Sequence, residues 1–188
     1  MIVDSRTVVF FVAVAAFVLV LATIAVRSYR RATKSSNGDW EHLLKRLQVV
    51  DRSSIAEVAL DIIDESGQQR RDEGSAILEP EQIWKLVGGL KGLEVLKANC
   101  AVLIDLAFYV QQWYPEALVV AEELRLSARE IDWHVERLEN AQRTGKLKSS
   151  FAMYAQPAVG KYYLMTRRLL TLYEQGNLPM LADLRKAL

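Results

Sequence analysis

The chain has 188 residues, with 24 Lys and Arg against 23 Asp and Glu, two His and a single Cys, and 51% of it is apolar. One cysteine excludes a disulfide scaffold, and the apolar fraction excludes low-complexity disorder. A net charge of +1 is far from the basic excess of a general nucleic-acid binder, so nucleic acid is not expected as a partner.

The first feature in chain order is an uncharged run from Thr7 to Val26, TVVFFVAVAAFVLVLATIAV. As a helix these residues rise about 30 Å, the thickness of a bilayer's hydrocarbon core, and they read as a transmembrane helix. Asp4 and Arg6 cancel before the run, whereas Arg27, Arg30, Arg31 and Lys34 follow it before the next acid, Asp39. An excess of cations marks the cytoplasmic flank. The expected organisation is therefore a short extracytoplasmic tail (1–6), a single-pass signal-anchor (7–26) in a plasma or inner membrane, a basic juxtamembrane linker (27–38) and a cytoplasmic domain (39–188).

The competing expectation is export after signal cleavage near Ala22. Against it stand the lack of a net positive leader, an apolar run beyond the usual length, and a basic cluster directly after the site. Ala13, Ala15, Ala16 and Ala22 are each followed four residues later by a large side chain, so the span carries no small-xxx-small dimerisation pair. Arg27, Arg30, Arg31 and Lys34 read first as topology determinants and second as contacts to lipid headgroups.

The rest reads as an all-α bundle of about five to six helices. Trp40, Leu43, Leu44, Leu47 and Val50 give helical spacing from Asp39. Ser54-Ile55-Ala56-Glu57 has the pattern of a capping box opening a second helix that runs to Gly67. Residues 67–78 are polar and read as a loop. Pro80 suits a first helical position, and the pattern it opens reaches Tyr114 with a break or close approach at Gly88, Gly89 and Gly92. Val95 to Val110 is apolar on nearly every side, which marks a central helix; Lys97 and Asp105 argue against a second span.

From Pro115 to Gly145, Ala117, Ala121, Leu124, Ala128, Ile131, Val135 and Leu138 form a heptad seam. Phe151, Ala155, Ala158, Tyr162, Met165, Leu169 and Leu172 repeat it, and the two seams predict an antiparallel pair. Pro157 predicts a kink or division of the second helix. Gly176-Asn177 ends it, and Pro179 opens a short last helix.

The search for chemistry returns no nucleotide loop, nucleophile elbow or paired Glu-x-x-His motif. No cofactor and no metal are expected. His134 reads as an exposed residue beside Glu130, and Cys100 as inert core.

Between Glu139 and Glu174 there is no acid, while Arg143, Lys146, Lys148, Lys161, Arg167 and Arg168 supply six cations. They read as complementary packing against the acidic preceding helix, with contact to anionic lipid as the alternative. Val119, Leu126 and Trp133 recur every seven residues opposite the 117–138 seam. A surface helix needs one apolar stripe, so the second is either covered by the C-terminal helix or open to a partner.

The function expected from these residues is a membrane-anchored interaction or scaffold domain with a protein partner. The alternative is a membrane-tethered enzyme or small-ligand receptor with its pocket between helices.

Overall fold

The structure is a computed structural model that describes residues 40–64, 68 and 77–188. The expected span, its flanking tail and linker, and most of the 67–78 segment lie outside the described residues. Among the described residues no helix is long and apolar enough to cross a membrane, and the secondary structure is helical throughout. These residues fall within one compact unit, Gly38–Leu188.

Seven helices are described, one more than the upper expectation: α1 (Trp40–Arg46), α2 (Arg52–Ile62), α3 (Pro80–Val87), α4 (Gly89–Val110), α5 (Ala117–Arg143), α6 (Leu147–Gln175) and α7 (Leu181–Ala187). The extra helix comes from the glycine elbow between α3 and α4. Gly88 ends α3 in the left-handed region at φ 79° and accepts no side chain there without strain. A Cβ at Gly92 would stand 1.7 Å from the Val87 carbonyl oxygen, so the elbow needs glycine for close approach as well as for its turn. Pro80 occupies the first turn of α3 as expected, behind a reciprocal capping box between Glu79 and Gln82.

Several boundaries differ from the sequence expectation, each for a local reason. The first helix stops at Arg46 instead of reaching Val50. The Asn99 side chain accepts from the Gln48 N–H and donates to the Gln48 carbonyl, both at 2.9 Å, which holds that peptide outside a helical ladder. The second helix is capped by Asp51, not by Ser54: the Asp51 carboxylate accepts from the Ser53 N–H at 3.0 Å, the Ser53 hydroxyl at 2.6 Å and the Ser54 hydroxyl at 2.8 Å. It ends at Ile62 rather than Gly67, because Asp64 turns the chain by bonding Gln68 twice, N–H to carbonyl and carboxylate to N–H. The central helix stops at Val110, four residues before Tyr114, ahead of the restriction that Pro115 places on its predecessor. The last helix begins at Leu181, two residues after Pro179.

The core is built around α4, which packs against α1, α3, α5 and α6. Leu93, Leu96, Leu103, Leu106, Ala107 and Phe108 are buried around its circumference. Its exposed seam carries Lys91, Glu94, Ala98 and Ala101. Asp105, on the edge of that seam, pairs with Arg46 at 2.8 Å and fastens α1 to α4.

α5 and α6 form the most extensive helix pair. Lys161 reaches Glu130 at 2.8 Å and Arg168 reaches Glu123 at 2.7 Å, so rising numbers on α6 meet falling numbers on α5 and the pair is antiparallel. All seven α6 seam residues are buried, as are those of α5 except Ala128, which is half-buried. Full burial of each large seam side chain contributes about 1.5–3 kcal/mol.

Pro157 neither divides α6 nor ends it; the helix runs unbroken from Leu147 to Gln175. The missing N–H leaves the Met153 carbonyl without its helical donor, and Met153 is 61% exposed. Buried Ala155 and Ala158 beside the proline keep the seam continuous.

The seam and the opposite stripe predict contrasting mutants. Leu124 is 1% exposed and Leu126 60% exposed. In urea unfolding, Leu124→Ala is expected to cost about 2–5 kcal/mol, and Leu126→Ala to stay within about 0.5 kcal/mol of the parent. Equal costs would show that the α5 faces are wrongly assigned.

Candidate interaction surface

The outer face of α5 follows from its sequence and its neighbours. Lys97 of α4 pairs with Asp132 on one flank, and Lys161 and Arg168 of α6 pair with Glu130 and Glu123 on the other. Between these flanks, away from the seam, lie Val119, Leu126 and Trp133, exposed at 61%, 60% and 47%. The expectation that the C-terminal helix covers this stripe is incorrect. α7 packs on α6, where Leu184 is fully buried. Arg185 pairs with Glu174, and the Arg52 guanidinium donates to the Arg185 and Lys186 carbonyls at the end of α7. These bonds hold α7 against the α2 and α6 side of the bundle and leave the stripe open.

Trp133 is the organising side chain of the face. The Arg137 guanidinium lies 5.0 Å from its ring centroid, a cation–π contact one turn along the same helix. Tyr154 of α6 meets Trp133 edge-on at 5.9 Å, and His134 does so at 4.9 Å. The indole is therefore held in one orientation while nearly half of it faces solvent. Rigid aromatic anchors of this kind dominate binding surfaces because little side-chain entropy is lost on contact.

His134 is half-buried rather than exposed, and its Nδ1 is buried without a hydrogen-bond partner among the described residues. Burial holds its imidazole below the usual histidine range; Glu130 opposes that effect and Lys161 adds to it. The ring therefore packs as a neutral aromatic body beside Trp133 and Tyr154.

The six cations of 143–168 do not form one patch. Lys161 and Arg168 are taken up by α5 carboxylates, and Arg167 lies over the Tyr163 ring at 5.7 Å. Arg143, Lys146 and Lys148 are exposed around the α5–α6 turn. Arg27, Arg30, Arg31 and Lys34 lie outside the described residues.

Two buried polar groups, neither marked by the sequence, hold the connections in place. Asp61 accepts from the Ile77 N–H at 2.7 Å and from Gln156 Nε2 at 2.9 Å. Asn99 holds Gln48 and also donates to the Tyr162 hydroxyl at 3.3 Å. Burial pushes that phenol up to about 12. Both groups spend their hydrogen-bonding capacity inside the fold, which makes them structural.

A cleft of about 460 Å³ opens between α3 and the start of α6, with Trp84 and Phe151 as its apolar lining and Glu81, Lys85 and Lys148 exposed around it. The Trp84 and Phe151 rings meet at 4.4 Å between centroids with their planes tilted by 56°. Among the described residues, no group of three His, Cys, Asp or Glu side chains converges to hold a metal ion.

The half-buried imidazole predicts a pH dependence. A histidine held neutral in the fold costs stability once the unfolded chain begins to take up its proton. Stability is therefore expected to fall as pH drops through about 6.5, the unperturbed histidine value, and to stop falling below the lower folded value. His134→Phe, which retains the aromatic body, should flatten that part of the pH profile in thermal unfolding. An unchanged slope would assign the effect elsewhere.

No protein-family model matches the chain, and neither does any curated protein or solved structure.

Proposed function

We propose that the protein is a membrane-tethered helical interaction module. Residues 7–26 are its single span, 27–188 lie on the cytoplasmic side, and the outer face of α5 is its contact surface. The carrying observation is the open stripe of Val119, Leu126 and Trp133, with Trp133 clamped by Arg137, Tyr154 and His134 while 47% exposed. A helix whose only task is core packing needs one apolar face, and the α5 seam already provides it. The uncharged length of 7–26 and the four cations after it support the tether and its direction.

Two measurements test this reading. The full chain is expected to stay with membranes after an alkaline carbonate wash, and deletion of residues 7–26 to release it. Trp133→Ala is expected to abolish co-purification of the partner while shifting the unfolding midpoint only slightly. Release of the intact chain would remove the tether, and a large loss of stability would return Trp133 to the core.

The α5–α6 turn supplies a second, weaker contact. Arg143, Lys146 and Lys148 are exposed there, and each cation near an anionic leaflet gains about 1 kcal/mol. The protein lacking residues 1–37 is expected to sediment with anionic but not neutral vesicles at low salt. Lys146→Glu with Lys148→Glu should prevent this. Equal sedimentation with both vesicle types would show that the turn does not read charge.

A further inference from the structure

The outer face of α5 is self-complementary under a two-fold rotation. Val119, Leu126 and Trp133 recur at seven-residue steps, so Leu126 stands midway between the other two. When a second α5 is laid on the first end for end about Leu126, each Val119 meets the other copy's Trp133, and Leu126 meets Leu126. A ring opposite a small branched side chain fills the same volume at both ends. A parallel arrangement would set indole on indole at one end and leave Val119 facing Val119 at the other.

The charges beside the stripe are compatible with the end-for-end arrangement, whose direction is set by the stripe itself. Glu122 lies four residues before Leu126 and Arg129 three residues after it, which places both on one flank. The end-for-end arrangement brings Glu122 to the other copy's Arg129 twice over, whereas a parallel one sets opposite flanks together and brings Glu122 to the other copy's Glu123 and Arg129 to its Glu130. Glu122 holds Arg125 of its own helix through Oε1 at 2.5 Å, which leaves Oε2 to accept from the other copy. On the opposite flank Glu130 approaches the other copy's Glu123. Both carboxylates are already engaged by their own α6, with Lys161 at 2.8 Å and Arg168 at 2.7 Å.

We propose that this face pairs with a second copy of the same chain, antiparallel and centred on Leu126. The proposal rests on the reading of α5 as a contact surface and names its partner. A two-fold axis perpendicular to α5 suits two chains anchored in one bilayer, because an axis along the membrane normal leaves both anchors on the same side. A stripe on one helix is small beside the roughly 800 Å² per partner of a standard stable complex. The pairing therefore relies on membrane confinement, which raises effective concentration as a linker does, toward roughly the millimolar range.

Cysteine cross-linking of the full chain in its membrane tests the geometry. Only a residue on the axis meets its own counterpart, so oxidised Leu126→Cys is expected to give a disulfide-linked dimer. Val119→Cys or Trp133→Cys alone should give little, and the two variants co-expressed should link to each other. Cys100 will not contribute, because it is buried and its thiol is pushed up to about 12. In the Leu126→Cys background, Arg129→Glu should lower the yield several-fold, and Glu122→Arg added to it should restore the dimer. Absence of a Leu126→Cys dimer, self-linking of Val119→Cys, or failure of the charge exchange to rescue would each overturn the proposal. If Leu126→Cys stays monomeric while Trp133→Ala still loses a partner at unchanged stability, the surface remains and the second copy is wrong. If Trp133→Ala unfolds the domain, the surface reading itself falls.

Discussion

The constraint on which the bundle depends is the circumference of α4. Twelve of its residues are buried, and they lie around most of the helix instead of along one stripe. Such a helix has no stable place at a surface, because exposing any of its apolar sides forfeits burial that the fold needs. It has to be enclosed, and α1, α3, α5 and α6 each take a side. The long antiparallel pair α5–α6 forms one wall. The short helices α1 and α3 close the remainder, and each is fixed by more than apolar contact: Arg46 to Asp105 for α1, the glycine elbow for α3.

Short helices carry little stability of their own, so their connections matter more than their length. The fold sets buried polar side chains against those connections. Asn99 satisfies both backbone groups of Gln48 just after α1. Asp61 receives the chain at Ile77 just before α3 and also holds Gln156 of α6. An unsatisfied buried amide or carboxylate costs more than a satisfied one contributes, so each clamp penalises any register in which its loop is displaced. Specific geometry at the loops is thereby imposed from inside the core.

These facts also explain which parts of the structure were legible in the sequence. The α5 and α6 seams could be read directly because each position repeats one environment every seven residues, and the two seams on either side of a short turn predicted the antiparallel pairing that Lys161–Glu130 and Arg168–Glu123 complete. The end of α1 could not be read, since Leu47 and Val50 continue the helical period and the interruption comes from Asn99, about 50 residues away in sequence. The α2 cap was placed on Ser54 for a different reason. Asp51 and Ser54 are both good capping residues, and only the three hydrogen bonds to Asp51 decide between them. Pro157 could not settle between a kink and a division, because whether a helix continues past proline depends on the packing on either side of it, which is a property of the fold and not of the residue. At the surface, the periodicity placed Val119, Leu126 and Trp133 on one face, but the position of α7 depends on Arg52 and Glu174, which no local pattern connects.

The position of α7 bears on function because it shows what the fold does with spare apolar surface. Where a covering segment is available, as Leu184 is on α6, the chain uses it and secures it with ion pairs and carbonyl contacts. Among the described residues no comparable segment lies over the α5 stripe. Leaving Trp133 half in solvent has a cost in apolar exposure, and the Arg137 contact offsets only part of it. Such exposure on a helix already satisfied on its inner side is the expected state of a surface that is completed by association. Acids on both flanks are neutralised within the molecule, Glu123 and Glu130 by α6, Asp132 by Lys97 and Glu122 by Arg125, and Arg129 beside them has no acidic partner among the described residues.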